Sequence, residues 1–372
     1  MLRIEEVGTL SAFEKLQDEW HELQRASRAE SIFLSYEWFH TCARTLPPGE
    51  EMLILLLRDG ARLVGAAPLL RRRAQIRRFP VTQIGFLENP VSPFADFILI
   101  DPIQGLSAIL GYLWNTHTEW DVLSLNKLRG DSVNLEHLSS FLRREGCSFQ
   151  KRVSSRVPFL SISQPWDEFY QSKSQKFRKT RRSIANRTHR LGEVTVEHVT
   201  HPENASRAVE QMLTVSSRSW KRLQGADHLS PALEQAFFSE LAQVSSRAGW
   251  LSLWLLKKGN EVLASEFHLN DRGTDYALRA AYDEACASCS PGTYLDFEIV
   301  RHLFQNGCSC YDMGPGMAEY KLAWTDSSYA CHTFEIYNRK FYPRILGQLQ
   351  TRWIPSLKAS AMGRWLQGEP HP

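Results

Sequence analysis

The stretch from Tyr276 to Trp324 reads YALRAAYDEACASCSPGTYLDFEIVRHLFQNGCSCYDMGPGMAEYKLAW. Residues 275–282 predict a strand, whereas the amphipathic spacing over 293–305 predicts a helix. Ser290-Pro291-Gly292 lies directly before this helix, and a serine followed by proline is typical of a helix start. Residues 309–313 predict a further strand. This order of strand, loop, helix and strand is typical of an α/β fold.

The same order of elements is repeated in the first half of the chain. A β-hairpin with strands at 52–57 and 62–70 is predicted around an Asp-Gly turn. A second hairpin, with strands at 250–256 and 261–269, is predicted around Lys-Lys-Gly. Two helical patterns precede each hairpin. They lie at 11–26 and 35–44 before the first hairpin, and at 205–222 and 231–247 before the second. After the first hairpin, a strand, a helix and a strand are predicted at 94–100, 106–116 and 121–125. This repeat predicts a tandem pair of related α/β domains.

Length and composition agree with that interpretation. The chain has 372 residues, which indicates two domains at roughly 100–200 residues each. Its 43% hydrophobic and 23% charged residues exclude a disordered chain, and the net charge of +3 disfavours a protein that coats nucleic acid. The longest strongly apolar run, 52–57, is too short to span a membrane. Glu5 and Glu6 stand where a secretory signal needs apolar residues, so we expect a cytoplasmic protein.

The seven cysteines predict no metal site. Cys286 and Cys289 form a CxxC motif, and Cys308 and Cys310 form a CxC motif. A four-thiolate zinc site normally uses two CxxC motifs on tight turns, whereas here the second pair lies in a predicted strand. We therefore expect reduced thiols and no bound metal.

Two segments are rich in basic residues. No acid occurs between Lys173 and Arg190, a segment with eight Lys and Arg residues that is either a solvated linker helix or a contact for phosphate or nucleic acid. The segment 339–366 combines Lys and Arg with Trp353 and Trp365. As an amphipathic helix it would lie on an anionic membrane as a peripheral contact, or pack back onto the second domain.

Four motifs occur in a fixed order: FLSYEWFHT at 33–41, GARLVGAAPLLRR at 60–72, SPG at 290–292 and YDMGPGMAEYKLAW at 311–324. On these motifs the chain resembles the CelD/BcsL-type acetyltransferases of the GNAT superfamily, which are similar to the FemAB-like tandem-GNAT proteins. The resemblance extends over most of the chain. It implies an α/β fold of tandem GNAT-like (acyl-CoA N-acyltransferase) domains, with mixed sheets flanked by helices.

The resemblance also divides the chain into four parts. Residues 1–160 would form a degenerate GNAT-like domain, because they have no counterpart of the Ser-Pro-Gly and Gly-Pro-Gly motifs. A basic linker helix at 161–192, an acyl-CoA-binding GNAT-like domain at 193–340 and a basic amphipathic helix at 341–372 would follow.

The implied activity is acyl transfer from acetyl-CoA, or another acyl-CoA, to an amine or hydroxyl. The acceptor would be a small molecule, such as a sugar or a lipid-linked precursor of an envelope or polysaccharide. The cofactor would lie where the parallel strands 275–282 and 309–313 diverge. Its pyrophosphate would meet the loop before the helix, because glycine allows close approach and first-turn amides are free donors. The residues of this loop are Ser290, Pro291, Gly292, Thr293 and Tyr294.

Acyl transfer also needs a base and a proton donor for the departing thiolate. Glu266 and His268 lie two residues apart, so they share one sheet face, and either is a candidate base. Asp283 is a third candidate. Tyr320 is a candidate proton donor, and Lys321 is a candidate contact for phosphate. Two further residues, Arg279 and Tyr282, are candidates for the acceptor side.

Two other functions remain open from the sequence. A FemAB-like transferase would take its acyl group from aminoacyl-tRNA, and the basic segment 173–190 would then contact RNA. A non-catalytic accessory protein of polysaccharide synthesis is the other alternative, which the glycine-poor loop before the helix favours.

Overall fold

The computed structural model describes residues 2–29, 31–76, 78–219, 222 and 229–348. In chain order the strands are β1 (Leu2–Val7), β2 (Glu50–Asp59), β3 (Arg62–Ile76), β4 (Phe79–Phe86), β5 (Ile98–Leu99), β6 (Val122–Arg129), β7 (Phe149–Ser161), β8 (Thr195–Val199), β9 (Leu251–Lys258), β10 (Glu261–Asp271), β11 (Thr274–Tyr282), β12 (Cys310–Asp312) and β13 (Ser328–Tyr337).

The helices are α1 (Leu10–Phe13), α2 (Gln17–Ala26), α3 (Tyr36–Arg44), α4 (Pro102–Asn115), α5 (Val133–Arg144), α6 (Trp166–Ser172), α7 (Gln175–His189), α8 (Pro202–Ser217), α9 (Pro231–Arg247), α10 (Pro291–Gln305), α11 (Glu319–Leu322) and α12 (Phe341–Gln348). Short 3₁₀ turns lie at Glu14–Leu16, Ile32–Leu34 and Glu284–Cys289. Among the described helices, none is long and apolar enough to cross a membrane.

The chain divides into two compact units. Of the described residues, the first contains those of 2–88, 94–155 and 330–348, and the second contains those of 89–93 and 156–329. The first unit has a mixed sheet in the order β1-β2-β3-β4-β6-β13, in which β4 and β6 are parallel. Its core joins the sheet to α4 and α5 through Leu69, Ile109 and Leu138, all of which are fully buried.

The second unit has the same arrangement. Its sheet has the order β7-β12-β11-β10-β9-β8, and β11 and β12 are its parallel pair. The core lies between this sheet and α10, with Leu256, Leu295 and Ile299 at its centre. Strand orders and pairing directions thus match between the two units, as the predicted tandem repeat requires.

The sixth strand of each sheet is not contiguous in sequence with the other five. The first unit includes most of β13, although β13 comes after the second repeat in the sequence. The second unit includes the end of β7, although β7 comes directly after the first repeat. The boundaries predicted at 160 and 340 place β7 with the first domain and β13 with the second. The linear order of elements does not show that each sheet takes its sixth strand from the other half of the chain.

Most predicted elements lie where the sequence placed them, including both hairpins and the helices at 35–44, 106–116, 231–247 and 293–305. The predicted strand 94–100 is wrong, because only Ile98–Leu99 is a strand there. The parallel partner of β6 is instead β4, which the sequence analysis missed. The basic segment 173–190 contains α7, as predicted.

The C-terminal prediction is only partly covered by the structure. α12 lies in the first unit, where Leu346 packs with Val81, Val122 and Tyr337. The described part of this segment therefore packs within the first unit, partly against Tyr337, which the sequence-based bounds had assigned to the second domain. Residues 349–372 lie outside the described residues.

Candidate active site

The two parallel strands of the second unit separate after a short pairing. β11 and β12 are paired from Thr274 opposite Cys310 to Tyr276 opposite Asp312. β11 then continues to Tyr282, whereas β12 ends. The next residue, Met313, donates its amide hydrogen to β7 instead. The predicted parallel pair is therefore confirmed, and β11 extends past the end of its neighbour.

Glycine is required at the turn that follows β12. Gly314 has a φ of +70°, and a Cβ at this position would lie 2.7 Å from the carbonyl oxygen of Ala277. The amide of Gly314 donates to Asp312 Oδ1 at 2.9 Å, and the Tyr329 hydroxyl donates to Asp312 Oδ2 at 2.6 Å. The turn is thus fixed close against β11, the strand that the following site uses.

We expect Gly314→Ala to lower the free energy of unfolding by about 2–4 kcal/mol, because it adds a backbone clash to left-handed strain. Gly316→Ala is a matched control, since Gly316 also has a positive φ (+99°) but no atom lies within 4 Å of the place that its Cβ would take. The control should lose about 1–2 kcal/mol. Denaturant unfolding measures both, and equal losses would show that the contact with Ala277 costs nothing.

The start of α10 faces the space beside β11. Ser290 has a left-handed conformation (φ 57°) and Pro291 is the first helical residue. The first intrahelical bond is donated by the amide of Tyr294 to Ser290 O at 3.1 Å. The amides of Gly292 and Thr293 precede that bond, so they have no acceptor within the helix and lie at its positive end.

A cavity of about 320 Å³ opens at this point. Its walls come from β10, β11, the first turn of α10 and the segment around α11, and they combine apolar with a few polar side chains. The lining residues are Ser219, Glu266, Ala280, Ala281, Tyr282, Gly292, Thr293, Ala318 and Tyr320. Five of the residues predicted for the site, Glu266, Tyr282, Gly292, Thr293 and Tyr320, are therefore brought together.

Glu266 belongs to a buried chain of charged groups behind the cavity. Its Oε2 lies 3.0 Å from His268 Nε2, which confirms that the two side chains share one sheet face. On the other side of the ring, His268 Nδ1 contacts Asp275 Oδ1. Both His268 and Asp275 are completely buried, and Glu266 is 5% exposed. Each ring nitrogen of His268 therefore faces a carboxylate.

This arrangement fixes the charge of His268. Burial lowers its pKa, but the charges of Asp275 and Glu266 and their hydrogen bonds outweigh that effect and raise the pKa to about 10. His268 is consequently an imidazolium near neutral pH and cannot accept a proton. Of the two candidate bases on β10, only Glu266 lines the cavity.

A second buried carboxylate lies near Glu266. Asp296 of α10 is 2% exposed and accepts a hydrogen bond from Trp324 Nε1 at 2.6 Å. Burial, followed by the negative charge of Glu266, raises the pKa of Asp296 to about 7. The guanidinium of Arg181, from the basic helix α7, lies 4.8 Å from the centre of the Trp324 ring. One cation of the predicted linker helix is thus buried beside this site.

Three predicted site residues have other partners. Asp283 Oδ1 accepts the amide of Ala285 at 3.0 Å and caps a 3₁₀ turn. Arg279 Nη2 lies 2.7 Å from Glu234 Oε1 in a buried ion pair. Lys321 Nζ donates to the carbonyl oxygens of Gly314 and Pro315 at 3.0 and 2.9 Å. None of the three lines the cavity, so the expected roles of Asp283 as base, Arg279 as acceptor contact and Lys321 as phosphate contact are not supported by their positions.

The residues of the predicted cofactor loop do not all line the cavity. Ser290 Oγ accepts a hydrogen bond from Arg187 Nη2 at 3.2 Å, and Pro291 is buried. Tyr294 packs in the core of the unit, with its hydroxyl 3.4 Å from His189 Nε2. These three residues shape the start of α10 but do not line the cavity. Only Gly292 and Thr293 of the predicted loop do so.

Several residues at the site were not anticipated. Ser219 and Ala318 line the cavity, and Asp275 and Asp296 are buried behind it. The one sequence signal for Asp296 is its place between Leu295 and Phe297 in an otherwise apolar helix pattern, whereas Asp275, beside Thr274 at the start of β11, gives no such signal. Buried acids in such positions normally have specific partners.

The comparisons with known proteins agree with this geometry. Residues 175–322 match the family model described as an acetyltransferase (GNAT) domain. No curated protein matches the chain. The crystal structure of FemX is 13% identical, with a TM-score of 0.56, and the match covers 88% of this chain and 98% of that one.

Two further solved structures are similar over nearly their whole length. The C-terminal domain of a putative lysylphosphatidylglycerol synthetase from Agrobacterium fabrum is 11% identical, with a TM-score of 0.54 and coverage of 90% of this chain and 95% of that one. A tandem GNAT protein from the clavulanic acid biosynthesis pathway is 8% identical, with a TM-score of 0.50 and coverage of 91% and 100%. The chain therefore has the tandem GNAT fold, its second half contains a GNAT acetyltransferase domain, and it is an acyltransferase.

Proposed function

We propose that the cavity of the second unit transfers an acyl group, in the simplest case acetyl, from acyl-CoA to an amine or hydroxyl. The observation on which this depends is that Glu266 and Tyr320 line one cavity beside the start of α10. A general base, a proton donor and free backbone amides are the groups that acyl transfer requires.

The residues present suit an acyl-CoA. Gly292 and Thr293 would bind its phosphates, because their amides are unpaired donors at a helix N-terminus and Gly292 has no side chain to obstruct them. The extension of β11 past β12 leaves strand backbone beside the cavity for the pantetheine arm. Bound there, acyl-CoA supplies the activated carbonyl carbon. The remaining chemistry belongs to side chains of this protein.

Glu266 would take the proton from the acceptor nitrogen or oxygen as the new bond to the acyl carbon forms. The carbon–sulfur bond then breaks, and Tyr320 would give its proton to the departing sulfur. Desolvation, followed by the charges of Glu266 and Asp296, raises the pKa of Tyr320, so the phenol carries its proton at neutral pH. Solvent returns the proton from Glu266 to Tyr320, whose side chain is 43% exposed.

For the acceptor, we propose a sugar or a lipid-linked precursor used in polysaccharide or envelope synthesis. Support for this class comes from the resemblance of the motifs at 33–41, 60–72 and 311–324 to CelD/BcsL-type acetyltransferases. Mass spectrometry of products formed from labelled acetyl-CoA in a cell extract would identify the acceptor. Labelled protein or RNA without any labelled small molecule would contradict this acceptor class.

We expect acetyl-CoA and CoA to raise the melting temperature of the protein, and Gly292→Glu to abolish that shift. A carboxylate at this position would repel phosphate and suits a helix N-terminus, and the ring of Tyr282 must move slightly because the new Cβ lies 3.2 Å from its Cδ1. Gly111→Glu is the control, because Gly111 lies in α4 of the first unit, and a Cβ added there would have no atom within 4 Å. Unchanged CoA affinity in Gly292→Glu would contradict the assignment of the phosphate site.

A second candidate function is supported by the surface of α7. Lys176, Lys179, Arg182 and Arg190, at or next to this helix, are exposed. A basic exposed face of this kind would suit the phosphates of an aminoacyl-tRNA donor. Retention of tRNA with steep salt dependence, without stabilisation by CoA, would favour this candidate over acyl-CoA.

A further inference from the structure

Four large apolar side chains are exposed at one place in the first unit. Phe79 begins β4 and is 46% exposed, whereas Phe341, Tyr342 and Ile345 belong to α12 and are 82%, 40% and 41% exposed. Phe341 and Ile345 are four residues apart, so they lie on the same face of the helix. An exposed aromatic residue is unremarkable alone, but a contiguous apolar group indicates a binding surface.

The start of β4 and α12 form one surface. The Tyr342 hydroxyl donates to Pro80 O at 2.9 Å, which joins the helix to the start of β4. Beneath this contact Leu346 is buried with Val81, and Ile76 packs against them. The helix is therefore anchored through its inner face, while its outer face has no partner among the described residues.

Basic residues surround these apolar side chains. Arg78, Lys340 and Arg344 are exposed, and none of them forms an ion pair within the described part of the chain. No Asp or Glu occurs in the sequence at 71–87 or at 338–368. We call this surface the basic aromatic patch, and it consists of Arg78, Phe79, Lys340, Phe341, Tyr342, Arg344 and Ile345. Its edge lies at Lys340, which also borders a polar groove containing Glu51, Glu119 and Asp121.

We propose that the basic aromatic patch binds the surface of an anionic lipid bilayer. Aromatic and aliphatic side chains enter the interface between headgroups and acyl chains, and neighbouring cations are attracted to anionic headgroups. If a second copy of the chain bound through the same patch, its three cations would face the three cations of the first copy and repel them. RNA would pair with the cations but would leave Phe341 and Ile345 without an apolar partner. Charge and apolar surface together therefore favour lipid.

The experiment is co-sedimentation of the full chain with vesicles. Vesicles of phosphatidylcholine mixed equally with phosphatidylglycerol should bind the protein, and vesicles of phosphatidylcholine alone should not. The double variant Phe341→Ser/Ile345→Ser should bind at least about tenfold more weakly, because two apolar side chains no longer enter the interface. The double variant Lys340→Glu/Arg344→Glu should lose about tenfold or more through charge.

Matched variants in the same unit control for general effects. Ile103→Ser/Val133→Ser removes two apolar side chains that are 57% and 59% exposed but lie outside the patch. Lys15→Glu/Arg25→Glu reverses two exposed charges elsewhere. Both controls should bind as the unaltered protein does. The proposal is overturned if the unaltered protein ignores anionic vesicles, if the patch variants bind normally, or if they change only self-association or RNA retention.

Discussion

Replacing Glu266 by Gln should lower the turnover number at least about a hundredfold, the usual lower range for loss of a general base. The carboxylate is the only acidic side chain among the described residues that line the cavity, and His268 beside it already has a proton. Glutamine keeps the shape and a hydrogen-bond acceptor for His268 but cannot take a proton from the acceptor. The affinity for CoA, measured by calorimetry, should stay within about twofold, because Glu266 does not belong to the phosphate-binding turn.

Glu261→Gln is the control for this prediction. Glu261 begins the same strand but is exposed and does not line the cavity. Thiol release from acetyl-CoA in the presence of the acceptor found by mass spectrometry measures turnover in both variants. Normal turnover in Glu266→Gln would remove Glu266 as the base and leave the cavity as a binding site only. Loss of turnover in both variants would indicate a general effect of charge.

The sequence predicted those parts of the site that depend on local spacing. The start of α10 follows from Ser290, Pro291 and Gly292, because capping and proline placement act within a few residues. The shared face of Glu266 and His268 follows from the two-residue period of a strand. These local rules need no knowledge of which strands are neighbours, so the structure agrees with them.

The partners of the site residues depend on register, which sequence patterns did not reveal. β10 and β11 change register between Phe267 and His268, and this irregularity brings Asp275 to the ring of His268. Arg279 and Lys321 were expected to contact ligands because both are cations near the cavity in sequence. Glu234, in a helix far along the chain, and the carbonyls of the Gly-Pro-Gly turn bind them instead.

The missed strand β4 has a similar explanation. Its sequence, FPVTQIGF, begins after a basic hairpin tip and contains Pro80, Thr82 and Gln83, so its apolar pattern is weak. The stretch 94–100 has a stronger apolar pattern, but only Ile98–Leu99 is a strand, and Phe97 fills the core outside it. Tertiary burial, which periodicity alone does not measure, determines which of the two stretches enters the sheet.

Asp275→Asn should lower the free energy of unfolding by about 3–5 kcal/mol near neutral pH, because it leaves a buried imidazolium with one anionic partner instead of two. The charge of Asp275 is the largest influence that raises the pKa of His268 to about 10. In the unaltered protein the raised pKa contributes stability that is full below the ordinary histidine pKa of about 6.5 and is lost as the pH rises through about 10. In the variant the pKa of His268 falls, so this loss occurs at lower pH.

Denaturant unfolding at several pH values between about 6 and 10, with histidine titration by NMR, measures both effects. Asp271→Asn is the control, since Asp271 ends β10, the strand of His268, is partly buried and lies 4.0 Å from the exposed Arg272. That variant should lose under about 1 kcal/mol and keep the pH dependence of the unaltered protein. If Asp275→Asn instead leaves the titration of His268 unchanged, Asp275 is not what keeps the ring charged. Glu266, the other carboxylate beside the ring, would then be the partner that keeps His268 charged.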